Sequence, residues 1–93
     1  MEILLKEESS KGFAVAQDND KQAGRMSYSI AGSVLIIIDH TEVEPAYTGK
    51  GIGKQMLYKI VEMAREKGIK IIPLCPFAAS VFRKSDDIKD VLK

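Results

Sequence analysis

Apolar positions along the chain change their spacing near its middle, and the change separates two kinds of element. Ile3 to Lys6 is a short apolar stretch that predicts a first strand, and Ser9-Ser10-Lys11-Gly12 reads as a turn. Phe13 to Ala16 predicts a second strand, followed by a polar loop from Asp18 to Gly24. Met26, Tyr28 and Ile30 alternate with Ser27 and Ser29, the period of a strand with one buried face. Ala31-Gly32-Ser33 is a tight connection. Val34 to Ile38 is an unbroken apolar run rich in β-branched residues, which predicts a strand buried on both faces.

Beyond that run the period lengthens. Ile52, Met56, Leu57, Ile60, Val61, Met63 and Ala64 recur at helical spacing, with Lys54, Lys59, Glu62, Arg65 and Glu66 on the opposite face. The helix begins near Lys50 or Gly51, and Gly68 supplies its stop. Ile69 to Leu74 returns to strand character. Pro76 opens a second helix at its first position, with Phe77, Val81 and Phe82 as its buried face. Asp86 to Lys93 is a last helical turn or a loose tail. Strand, glycine-rich turn, helix and strand form a β-α-β unit, so the last two strands run parallel with a right-handed crossover. The expected fold is α+β, with a mixed, mostly antiparallel sheet and one parallel step.

Length and composition narrow the function classes. Ninety-three residues favour one domain, residues 1–93, and an apolar share of 45% is that of a globular protein. Net charge is +1 with acids and bases interspersed, so no basic stripe points to a nucleic-acid partner. No signal peptide opens the chain and no apolar run approaches a membrane span, which points to a cytoplasmic protein with no membrane partner. A monomer is the default, since no exposed apolar stripe is evident. One cysteine rules out an internal disulfide, and one histidine with one cysteine does not furnish a zinc site.

Gly49, Gly51 and Gly53 lie where the apolar strand gives way to the helix. Unpaired N–H groups and the helix dipole make such a turn an anion site, and glycines let a phosphate approach the backbone. Lys50 and Lys54 add positive charge. A Walker loop fails, because Gln55 follows Gly53-Lys54 and Thr48 stands at the required earlier glycine. A dinucleotide fingerprint from Gly49 fails at Lys54. A tight strand-to-helix turn with no ligand is the competing explanation.

His40 to Gly53, His-Thr-Glu-Val-Glu-Pro-Ala-Tyr-Thr-Gly-Lys-Gly-Ile-Gly, resembles the cofactor-binding segment of the GNAT superfamily of acetyl-CoA-dependent N-acetyltransferases. Gly51-Ile52-Gly53 fits the end of the family pattern, while Thr48 stands where Gln or Arg is expected. Pro73-Leu74-Cys75-Pro76-Phe77-Ala78 fits more narrowly. With the His-Thr-Glu-Val stretch it resembles a group of very small single-domain GNAT-like proteins of about this length. The resemblance implies a minimal acyl-CoA N-acyltransferase fold, with acetyl-CoA in a cleft splayed between the strands ending near Glu42 and Leu74. Pyrophosphate contacts would then fall on Thr48, Gly49, Lys50, Gly51, Ile52, Gly53 and Lys54, mostly through backbone N–H groups. Thr41, Glu42 and Val43 would offer backbone groups to the pantetheine, Tyr47 would wall the cleft, and Cys75, Pro76 and Phe77 would flank its other side. Lys6 to Gly12 is too short for the helical pair that shapes the acceptor site in larger members, so the pocket for the amine acceptor is open or absent.

Amine acetylation needs a base for the amine and an acid for the departing thiolate. Family members often use a Glu and a Tyr. The position expected for the Tyr is Phe82, which has no proton to give. Cys75 at a helix start is the alternative, as proton donor or as acetyl acceptor; a buried small hydrophobe is its bland alternative. His40 and Glu42, two apart on a strand, share a face and can act as the base, or can simply be strand-end polar groups. Thr41 is expected to face the other way, with Asp39. Three functions stay open: an acetyltransferase, a non-catalytic CoA-binding module, and an interaction domain that has lost its ligand.

Overall fold

The computed structural model describes residues 1–93 as a five-stranded sheet with helices on one face. Strands β1 (Glu2–Glu8), β2 (Lys11–Asp18), β3 (Lys21–Ile30), β4 (Leu35–Val43) and β5 (Lys70–Pro73) lie side by side in chain order. All neighbours are antiparallel except β4 and β5, which are parallel and joined through α1 (Ile52–Lys67). Helix α2 (Pro76–Lys84) follows β5, and short 3-10 turns cover Pro45–Tyr47 and Asp86–Val91. The sheet is thus mixed with one parallel step, as its periodicity implies. No helix is long and apolar enough to cross a membrane.

Strands run longer than their apolar stretches suggest, because the turns between them are tighter. Asn19 takes a left-handed φ of 57°, which closes a hairpin at Asn19-Asp20, and Lys21 to Gly24 joins β3 instead of looping. Two bulges then bend the sheet. Gln17 pairs with Gln22 and Ala16 with Gly24, leaving Ala23 as an extra residue in β3. Ser27 pairs with His40 and Tyr28 with Ile38, leaving Asp39 as an extra residue in β4.

The bulge at Asp39 reverses which residues of β4 face the core. Ile36 and Ile38 are buried on the helical side. Past the bulge, Thr41 pairs with the buried Met26, so Thr41 and Val43 take that side while His40 and Glu42 face away. The expectation that Thr41 shares a face with Asp39 is corrected. Asp39 accepts hydrogen bonds from Ser29 Oγ at 2.6 Å and Lys11 Nζ at 3.2 Å on the far face. Burial of β4 on both faces is corrected too. Leu35 and Ile37 are only half-buried, because the helices cover one side of the sheet, and Val34 lies outside the strand and is exposed.

Helix α1 lays its predicted stripe, from Ile52 to Ala64, on Ala14, Ala16, Met26, Tyr28, Ile36 and Ile38. Left-handed glycines bound it, Gly51 at φ 72° and Gly68 at φ 67°, the latter donating to Ala64 and Arg65 carbonyls. In α2 the buried residues are Ala78 and Phe82. Phe77 is instead 39% exposed and Val81 half-buried, so of the expected buried face only Phe82 is buried. The cause is Phe77, whose ring lies on Gly53 of α1: a Cβ there would sit 2.6 Å from the ring. The segment after α2 is ordered. Ile88 and Val91 enter the core, Arg65 pairs with Asp90, and Leu92 bridges to Ile71, covering the outer edge of β5.

Tyr28 spans the helical side of the sheet. It is fully buried, its ring fills the space a Cβ at Gly12 would need, and its hydroxyl donates to Glu7 Oε2 at 2.8 Å. Burial, then the bond to Glu7, raises its pKa above the ordinary tyrosine value. Since the folded pKa is the higher one, this stabilisation is complete below about pH 10 and is lost as pH rises beyond it. Urea midpoints of wild type and Tyr28→Phe should therefore converge above pH 10; a constant difference would contradict the buried hydroxyl. Gly53→Ala should destabilise by roughly 1–3 kcal/mol, although alanine is the better helix former. Most of that loss should vanish when Phe77→Ala is added, which denaturant unfolding of the four proteins of the cycle would show.

Candidate active site

The site is built where β4 and β5 part. Their parallel pairing ends at Ile38 and Pro73, and the Ile38 carbonyl accepts both the Leu74 N–H at 3.1 Å and the Cys75 N–H at 3.0 Å. Beyond this point β4 continues to Val43 with β3 as its only strand neighbour. Pro73, with no N–H to leave unpaired, suits the last place in the ladder.

A cavity of about 540 Å³ opens beside the split. Thr41 and Val43 of β4 form its floor, and Tyr47, Thr48, Gly49 and Gly51 form the rim between strand and helix. Ile52, Gly53 and Lys54 bring the first turn of α1, and Phe77, Ser80, Val81 and Lys84 bring one face of α2. Thr41, Val43, Tyr47, Thr48, Gly49, Gly51, Ile52, Gly53, Lys54 and Phe77 are therefore brought together. Cys75 does not line the cavity. It is 5% exposed, at the N-cap of α2, with Sγ hydrogen-bonded to Thr41 Oγ1 at 3.2 Å, directly behind the floor. Lys50, in the strand-to-helix segment, and Pro76, at the start of α2, are exposed and do not line the cavity.

His40 and Glu42 are placed elsewhere. Their side chains meet at 3.7 Å, but on the sheet face turned from the helices, and both are largely exposed. The inserted residue Asp39 decides this, by exchanging the faces of every later position in β4. Phe82 is 2% exposed inside the core and has no proton to donate to the cavity. Ser80 and Lys84 were not singled out from the sequence. Their signal was the helical spacing of Phe77, Ser80, Val81 and Lys84, a second stripe beside the buried Ala78 and Phe82.

The electrostatics of the rim suit an anion. The N–H groups of Gly49 through Lys54 make no hydrogen bond within the chain, and the first backbone bond here is Gln55 N–H to Gly51 carbonyl. The first turn of α1 holds no acid to neutralise its positive end. Lys50, Lys54 and Lys84 form no salt bridge; Lys54 Nζ sits 5.4 Å from the Tyr58 ring centre. Gly49 (φ 83°) and Gly51 (φ 72°) have left-handed backbones, and a side chain on either would point into open space. Glycine thus serves two ends: at Gly49 and Gly51 it permits the turn, and at Gly53 it admits the ring of Phe77.

Known proteins carry the same framework. A family model for the GCN5-related N-acetyl-transferases matches residues 12–91. The solution structure of a GCN5-like protein from Staphylococcus aureus is similar at a TM-score of 0.72 and 33% identity, over 97% of this chain and 87% of that one. Ribosomal-protein-alanine N-acetyltransferase from Brucella melitensis biovar Abortus 2308 shares the fold at a TM-score of 0.70 and 17% identity, over 83% of this chain and 62% of that one. An aminoglycoside 6'-N-acetyltransferase complexed with coenzyme A shares it at 0.59 and 17% identity, over 67% and 36%. Among curated proteins none matches the chain. With the parted strands, the glycine rim and a family match across nearly the whole sequence, the chain belongs to the GCN5-related N-acetyltransferase family.

Proposed function

We propose that the cavity between β4 and α2 takes acetyl-CoA and that the protein passes the acetyl group to an amine, as one domain acting as a monomer in the cytoplasm. The run of unpaired N–H groups from Gly49 to Lys54 carries the reading. Open donors at a helix start are a ready anion site, and a diphosphate supplies several acceptors at once. The residues fit this ligand. The first turn of α1 is free of acids, Lys50 and Lys54 stand beside it, and the open directions at Gly49 and Gly51 leave room for phosphate oxygens. The edge of β4 freed by the split can pair with the amides of a pantetheine arm through Thr41, Glu42 and Val43, while Pro76 and Phe77 flank the arm from α2. Bound there, acetyl-CoA supplies an activated acetyl thioester.

Cys75 is the nucleophile nearest the split, behind Thr41. In the two-step route its sulfur gives up its proton, bonds to the acetyl carbon, and the proton leaves with the CoA sulfur. An amine then takes the acetyl group, the carbon–Cys75 sulfur bond breaks, and the amine's proton returns to the sulfur. In the one-step route Cys75 only protonates the departing thiolate. His40 and Glu42 flank Thr41 from the far face and would accept the proton of an amine arriving from that side.

Binding without transfer is the second reading, favoured by the buried Phe82. Amide NMR titration with acetyl-CoA, then intact mass, decides among these. Shifts at Thr41–Val43, Thr48–Lys54 and Cys75–Phe77 are expected, and no shifts at millimolar cofactor would refute the cavity assignment. An added acetyl mass supports the two-step route and should disappear in Cys75→Ala, which should still bind acetyl-CoA. CoA release on adding an amine marks transfer; binding with no release under any amine marks the passive module. Gly51→Glu should weaken acetyl-CoA by about a hundredfold or more, roughly 2.8 kcal/mol. Gly51→Asn, which tolerates the same φ without charge, should lose much less.

A further inference from the structure

We infer that Tyr47 and Asp18 form a latch that holds the anion-binding rim in place, which makes Asp18, on a distant hairpin, a positioning residue for the pyrophosphate. The inference rests on the acetyl-CoA reading. Between the end of β4 and the start of α1 the chain crosses Glu44 to Gly51 with few anchors. Glu44 N–H reaches the Ala23 carbonyl at 2.8 Å and the Gly51 carbonyl accepts from Gln55 at the helix start; between these ends the backbone bonds, Tyr47 to Glu44 and Thr48 to Pro45, stay inside the segment. None of the segment's residues is buried. Its single side-chain hydrogen bond is the Tyr47 hydroxyl donating to Asp18 Oδ2 at 2.7 Å. Tyr47 is also the last residue of the 3-10 turn and immediately precedes the rim it helps to line.

The hairpin is shaped to meet it. The bulge at Ala23 bends the end of the β2–β3 ladder, and its carbonyl takes the Glu44 bond. Gly24 lets the two chains close up, since a Cβ there would lie 2.8 Å from the Glu42 carbonyl. Asp18 is the last residue of β2, at the tip of this bent hairpin, with Lys21 opposite it in the ladder. The bond to a carboxylate is the stronger, charge-assisted kind, and it fixes the ring that walls the cavity beside Thr48 and Gly49. A rim whose donors must stay aligned with no partner of their own gains most from such an external tie.

The test compares acetyl-CoA with S-acetylpantetheine, which lacks the pyrophosphate, by NMR titration. Tyr47→Phe and Asp18→Ala should each weaken acetyl-CoA by about tenfold and change S-acetylpantetheine by less than about twofold. Asp18→Asn keeps an acceptor and should restore most of the affinity. The double variant should be no worse than either single one, as one shared bond requires. Equal losses for both ligands would make Tyr47 only a wall of the cavity and overturn the latch, as would unchanged binding of acetyl-CoA. Wild-type protein that binds neither ligand would remove the acetyl-CoA reading and the latch with it.

Discussion

The architecture of the site depends on the parting of two parallel strands at Ile38. A single carbonyl takes both following N–H groups of the departing chain, Leu74 and Cys75, so β5 leaves the ladder with its donors satisfied. In the very next residue β4 carries its bulge. The two events act together. Parting frees the edge of β4, and the bulge brings Thr41 and Val43 round to the side where α1 and α2 stand. Were Asp39 paired in a regular ladder instead of bulged, period-two alternation would turn His40 and Glu42 to the helices and Thr41 away from Cys75. Asp39 is itself secured on the far face by Ser29 and Lys11, so the bulge is held by polar bonds outside the core.

Chemistry at the rim follows from what is left unpaired. A helix that begins at a left-handed glycine, after a segment with almost no backbone bonds, presents a contiguous set of donors to solvent. Such a set is tolerable because it is open to water, and it is useful because the same openness admits an anion. Rigidity then has to come from elsewhere. At the helix it comes from Ile52, Met56 and Leu57 in the core, and at α2 from Phe77 seated on Gly53. For the strand-to-helix segment it comes from the hydrogen bond of Tyr47 to a hairpin two strands away.

What was legible in the sequence is what local rules determine. Helix α1 was readable from its apolar stripe and Gly68, and the parallel step from the order of strand, turn, helix and strand. The glycine rim was readable because several glycines at a strand-to-helix junction need a reason. Face assignments beyond Ile38 were not, since a bulge leaves no mark in the alternation of a polar stretch such as Asp39-His40-Thr41-Glu42. In α2 the burial of Phe82 was legible and the place of Phe77 was not, since that place depends on an absent side chain at Gly53. Likewise the tie between Asp18 and Tyr47 joins residues 29 apart in sequence, and only the bent hairpin brings them together.

A chain this short forms its core on one side of the sheet only. Phe13, Leu35, Ile37 and Ile72 lie on the other side, outside the core, with Arg25 stacked on Phe13 at 4.9 Å. The same economy shapes the acceptor problem. β1 passes to β2 through a tight turn, so no helices follow it to wall an acceptor pocket. An amine acceptor would therefore approach the split from an open surface, and the polar pair flanking Thr41 there, His40 and Glu42, is largely exposed. Exposed groups keep ordinary solvation and gain little from a shielded field. Discrimination among amines would then fall to the surface around the split, and an activated thioester would have to carry most of the reactivity.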